Sequence, residues 1–184
     1  MRLDASLAFV PVGSPLSLVG GLGVSFASPN IIDLLGQGVG TAPANIFGTP
    51  TIFGSADAKG VGKTRVELAV ATGTAFATSD SATLNVQLQG AADQGVGGSY
   101  QPSTWYTFGE SGAMAAANLT ANTVICRLPW LPPWPFSLRP RFLRLNFFIP
   151  ASTQFTTGTI AYAVPVEGRD DYSAQYAAKN YAVA

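Results

Sequence analysis

The sequence predicts an all-β fold: a single-domain jelly roll or β-sandwich of about seven or eight antiparallel strands. An extended N-terminal arm and a C-terminal tail flank it. Apolar and polar residues alternate with a period of two in several short stretches. Glycine, proline, serine, threonine and asparagine separate those stretches, and no segment carries a convincing helical period. The 184 residues suit one domain with one core, because a second would leave both parts small.

Residues 1–28 form the arm. Pro11, Gly13, Pro15, Gly20, Gly21 and Gly23 break up its apolar residues, leaving Ser17–Val19 and Val24–Phe26 as strand fragments. An apolar arm is expected to lie on its own domain or on a neighbour. The sandwich spans 29–166. Asn30–Leu35 reads as a strand ending in glycines, and the loop-rich span to Gly60 holds one short strand, Thr51–Phe53. Arg65–Thr72 and Thr83–Gln89 alternate apolar with polar, as antiparallel strands with one wet face do, and Thr78–Ser81 between them has turn chemistry. Trp105–Phe108 is a short aromatic strand, and Ala113–Leu119 favours a helical turn. Val124, Cys126 and Leu128 alternate with Ile125 and Arg127 ahead of a loop rich in proline and tryptophan.

In Arg141–Ile149, Leu143, Leu145, Phe147 and Ile149 share one face, and Phe142, Arg144, Asn146 and Phe148 the other. From Thr157 to Val166, Ile160, Tyr162, Val164 and Val166 share a face. Two such runs across a short polar connection predict a hairpin that closes the sandwich. The tail, 167–184, is rich in alanine and tyrosine.

Composition narrows the function. Charged residues make up 11% of the chain, against roughly 25% in ordinary soluble domains, and the net charge is zero. So weakly charged a surface suits a protein that lives against other protein, and no global field draws the chain to nucleic acid or to acidic membranes. Histidine is absent, which removes the commonest catalytic base and metal ligand. Cys126, the single cysteine, allows no internal disulfide and no metal cluster. No window approaches the roughly 18 apolar residues of a membrane helix. Asp4, Pro11 and Pro15 spoil a secretory leader, so synthesis in the cytoplasm is expected.

Gly60-Val-Gly-Lys-Thr64 imitates the end of a phosphate-binding loop, but Asp57 stands where the first glycine belongs and a strand follows in place of a helix. It reads as a turn. Carboxylates are sparse and scattered, so neither an enzyme nor a cofactor is expected. Arg127, Arg139, Arg141 and Arg144 gather four of the ten basic residues in one region, either covering strand faces or forming a contact patch for an acidic partner. Trp130 and Trp134, stiffened by prolines, either plug one end of the sandwich or offer an aromatic contact surface.

Taken in order, Met1–Phe9 (with Asp4, Leu7 and Phe9), Ile32–Leu34, Ala82–Asp93, Phe142–Asn146 and Thr157–Ala161 resemble the capsid cement (decoration) proteins of tailed bacteriophages, a small jelly-roll family first seen on a Bordetella phage. The resemblance runs from residue 1 to about 166. The chain departs from it in the glycine-rich span 36–62, the proline/tryptophan loop 129–140 and the tail. It implies a non-enzymatic virion protein on the outside of the head. Such a protein bridges neighbouring major capsid subunits as a homodimer or homotrimer. The candidate contact residues are Leu7, Phe9, Arg127, Trp130, Trp134, Arg139, Arg141, Arg144, Asn146, Tyr172 and Tyr176. The alternative is a carbohydrate- or receptor-binding module of a virion, with Trp105, Trp130 and Trp134 as a sugar platform.

Overall fold

The computed structural model describes residues 8–33, 51–53, 66–94, 101–129 and 140–167. Among them the strands in chain order are β1 (Leu16–Ser17), β2 (Phe26–Ala27), β3 (Ile31–Asp33), β4 (Thr51–Phe53), β5 (Val66–Thr72), β6 (Ala77–Thr78) and β7 (Thr83–Ala91). They continue with β8 (Tyr106–Glu110), β9 (Met114–Ala115), β10 (Val124–Pro129), β11 (Phe142–Phe148), β12 (Phe155–Thr157) and β13 (Thr159–Glu167). One sheet runs β1-β13-β5-β10, and a second runs β4-β3-β11-β7-β8.

With β1, β3, β5, β7, β8, β10, β11 and β13 numbered one to eight, the sheets read 1-8-3-6 and 2-7-4-5. That is the double Greek-key order of a jelly roll. The chain crosses between sheets at every step except β7 to β8, which pair as antiparallel neighbours. The core fills the gap: Leu68, Val70, Ile160 and Ala163 from the first sheet meet Leu84, Val86, Leu88, Leu143, Leu145 and Phe147 from the second. Each large apolar side chain enclosed this way contributes roughly 1.5–3 kcal/mol.

The expected hairpin of β11 and β13 does not form. β11 pairs with β7 along its whole length in the second sheet, whereas β13 pairs with β5 in the first. A period of two reports which face a residue occupies and says nothing about its partner strand. The connection is also more than a turn. Phe155 on β12 is fully buried and meets the Phe76 ring edge-on at 4.9 Å, while β12 pairs with β6.

The face expected for β13 is also corrected. Its register against β5 shifts between Ile160 and Tyr162, so Ala161 is an extra residue. A bulge of this kind reverses the faces beyond it. Ile160 and Ala163 therefore point into the main core, while Val164, Val166 and Tyr162 pack with Ala8 and Ala69 on the other side. The helical turn expected over Ala113–Leu119 is a two-residue strand followed by a 3-10 turn at Ala116–Asn118, which delivers Leu119 into the core.

Residues 8–28 are woven into both sheets. Phe9 N–H donates to Ala163 O at 2.8 Å, β1 pairs with β13, and β2 pairs with β11. A buried polar seam marks the crossing. Asn30 Nδ2 donates to Ala8 O at 2.7 Å, Ser28 Oγ donates to Asn30 O at 2.8 Å, and Leu145 N–H donates to Ser28 Oγ at 3.0 Å. These bonds satisfy backbone groups that the crossing would otherwise strand in the core.

Candidate functional site: the outer face of the second sheet

Since Leu143, Leu145 and Phe147 fill the core, the residues between them on β11 face outward, and the same holds for β7. The register sets Arg144 opposite Gln89, Asn146 opposite Gln87 and Phe148 opposite Asn85. On the far side of β7, Gln89 stands opposite Thr107 and Gln87 opposite Glu110. Alternation on β7 and β11, together with a register shift in β8 between Gly109 and Thr107, thus lines up one continuous polar face.

Its side chains are bonded to one another. Asn146 Nδ2 donates to Gln87 Oε1 at 2.9 Å, and Asn85 Nδ2 donates to Glu110 Oε2 at 2.8 Å. Arg144 Nε donates to Gln89 Oε1 at 2.9 Å, and the same guanidinium lies 4.3 Å from the centre of the Trp105 ring. Gln89 Nε2 reaches Gln87 Oε1 and Thr107 Oγ1 over longer bonds. Beneath the arginine, Trp105 packs on a small apolar cluster of Ile31 and Phe142. Trp105 is thus half-buried, with a guanidinium over its ring.

At the β3 end of the face stands a different arrangement. Arg141 Nε donates to Asp33 Oδ1 and Oδ2 at 3.0 and 3.2 Å, its Nη2 donates to Asp33 Oδ2 at 2.9 Å, and its Nη1 donates to Asp93 Oδ2 at 2.6 Å. The Asp33 side chain is 1% exposed and that of Arg141 11%. Hydrogen bonding to Asp33 raises the Arg141 pKa, with the charges of Asp33 and Asp93 adding to it and burial opposing. Asp93 is itself held by Gln101 N–H at 3.1 Å.

The remaining candidates separate. Arg127, on β10 of the other sheet, pairs with Glu67 at 3.3 Å and is the more exposed partner; such a pair is worth about 0–1 kcal/mol. Phe9, expected at an interface, is instead fully enclosed in the core, because the segment around it is hydrogen-bonded to β13. Leu7, Trp130, Trp134, Arg139, Tyr172 and Tyr176 lie outside the described residues, as does Gly60-Val-Gly-Lys-Thr64. Cys126 packs against the core, and burial pushes its thiol up to about 12, which keeps it protonated.

Asp33, Glu67 and Glu110 stand apart. Glu67 belongs to the other sheet, and Glu110 is four positions from the Asp33 level along β7, roughly 13 Å. Each has a partner of its own, in Arg141, Arg127 and Asn85.

The end of the sandwich where β11 finishes is nearly free of charge. Four connections meet there: 18–30, 73–82, 111–123 and 149–158. Asp80 is their one charged residue, and it accepts bonds from Thr78 Oγ1 and Gln154 N–H. Val19, Leu22, Val24, Val124 and Phe148 are exposed along these connections and the strand ends beside them.

Gln87, Gln89 and Thr107 entered the sequence reading only as a polar strand face, or not at all. The signal that they act together is that their alternation is in register with that of β11, which becomes visible once the pairing is known. No protein-family model and no curated protein matches the chain.

Proposed function

We propose that the chain is a non-enzymatic cement protein of a phage head. It binds the outside of the assembled shell, bridges neighbouring major capsid subunits and acts as a small homo-oligomer on the virion surface. The observation that carries this reading is where the residues of the resemblance fall. Ile32–Leu34 overlaps β3, Ala82–Asp93 covers β7, Phe142–Asn146 opens β11 and Thr157–Ala161 opens β13. These are framework strands of a jelly roll. A fold alone hosts many functions, so the surface has to fit the task as well. It does so twice, with an almost uncharged end bearing exposed Val19, Leu22 and Val24, and with an ordered polar face around Arg144.

The mechanism asks only for stiffness and contact area. Each copy placed across a joint between capsomers adds an interface that internal pressure must break, and many copies act together. The test is to add purified chain to empty capsids that lack it, measure co-sedimentation, and then challenge the particles with heat and with chelators. Bound protein and a raised disruption temperature are expected. Capsids that neither bind the chain nor gain stability would end the reading.

A further inference from the structure

On this face Arg141 meets two carboxylates, whereas Arg144 meets none among the described residues. Arg141 is neutralised by Asp33 and Asp93, and Glu110 is bonded by Asn85. Arg144 is half-buried and makes one hydrogen bond, from Nε to the neutral amide of Gln89, and one ring contact, with Trp105. A guanidinium carries five N–H donors. The four on Nη1 and Nη2 find no acceptor among the described residues. Burial without a compensating anion lowers the Arg144 pKa.

The Nε bond to Gln89 and the contact with Trp105 both act to hold this cation in place. The bond to Gln89 leaves the Nη edge free, and that edge matches the two oxygens of a carboxylate. Asn146 and Gln87, bonded to each other beside it, provide a polar floor without a charge of their own.

We propose that Arg144 is the anchor of a protein-docking surface on the outer face of the second sheet, and that it receives an aspartate or glutamate carboxylate of the partner. Trp105 and Gln89 position it. The inference does not require the partner to be a capsid shell, since any protein surface presenting an acidic side chain to a flat polar face meets the same chemistry.

The test follows the side-chain Nε–H signal of Arg144 by NMR in the full chain, titrated separately with a pentaglutamate peptide, a pentaglutamine peptide and inorganic phosphate. A saturable shift with pentaglutamate and none with pentaglutamine is expected. Arg144→Gln should weaken pentaglutamate binding about tenfold or more, the loss of a charge-assisted bidentate contact, while the thermal midpoint stays put. Gln89→Glu keeps the arginine and gives it an internal carboxylate, so it should also block the peptide, with the fold intact by circular dichroism. The proposal is overturned if pentaglutamate leaves the Arg144 signal unmoved, or if Gln89→Glu binds the peptide as well as the parent does. A response to phosphate alone would also overturn it, marking a small-anion pocket in place of a docking surface.

Discussion

Arg141 and Arg144 stand three residues apart at one end of β11, yet the fold treats them in opposite ways. Arg141 is enclosed by two carboxylates, one from β3 and one from the segment after β7. Its bonds tie three parts of the second sheet together. Arg144 faces a neutral amide and an indole and has no ion pair among the described residues. The charge of the first is neutralised inside the chain; that of the second is, on the proposal above, held for a carboxylate outside it. The same residue type, just before β11 and within it, thus has carboxylate partners in one place and none among the described residues in the other. The difference lies in which carboxylates the topology brings near.

The sharpest way to break that contrast is Arg141→Ala. It leaves the Asp33 carboxylate, 1% exposed, in place without its cation. Removing one partner of a buried pair costs about 3–5 kcal/mol, which for a chain of this size lowers the melting temperature by on the order of 10 °C. Thermal denaturation followed by circular dichroism measures it. Arg141→Lys should recover part of the loss but not all, because an ammonium cannot match the fork that meets both oxygens of Asp33. A melting temperature unchanged in Arg141→Ala would place the strength of this end elsewhere.

The converse experiment gives Arg144 what Arg141 already has. In Gln89→Glu the acceptor at 2.9 Å becomes a carboxylate. Position 89 is buried and the carboxylate gives up the Nε2 bonds to Gln87 and Thr107, so the pair should add no more than about 0.5–1 kcal/mol and raise the melting temperature by at most a few degrees. High salt should erase part of the gain. Arg144→Gln is the control: with no ion pair among the described residues to lose, stability should move by no more than about 0.5 kcal/mol. If it falls as far as in Arg141→Ala, Arg144 is a structural residue and the contrast between the two fails.

The sequence was informative about faces and uninformative about partners. Leu84, Val86 and Leu88, like Leu143, Leu145 and Phe147, announce an inner face by alternation alone, and all six are buried. Pairing is a different matter. Asp33 meets Arg141 across 108 positions of sequence, and no local pattern encodes that contact. The strands β11 and β13 look like a hairpin because they are close in sequence, yet a jelly roll sends consecutive strands to opposite sheets. Ala161 shows a finer limit. Nothing in Thr159–Val166 marks it as an extra residue, and one bulged position was enough to reverse the faces of everything after it. The polar face around Arg144 was half legible, as single polar positions on separate strands. Its assembly into one surface needed the register.

The smallest expected effect belongs to a charge that lies between the two arginines in character. Asp80 sits at the uncharged end and is engaged, but by dipoles and not by a cation. Its carboxylate accepts from Thr78 Oγ1 at 2.7 Å and from Gln154 N–H at 3.1 and 3.2 Å. The bond from Thr78 holds its pKa below the ordinary carboxylate value, with the backbone donors helping and burial opposing. A carboxyl whose pKa is depressed by folding contributes stability above its unfolded value, about pH 4. That contribution is lost as pH falls through the lower folded value. Asp80→Asn should therefore melt below the parent at neutral pH and converge with it in stronger acid. Melting curves of the two proteins at a series of pH values check this. Parallel curves down to the lowest pH would mean that the hydrogen bonds to Asp80 hold its protonated form as well as its charged one. The turn between β6 and β7 would then owe nothing to ionisation.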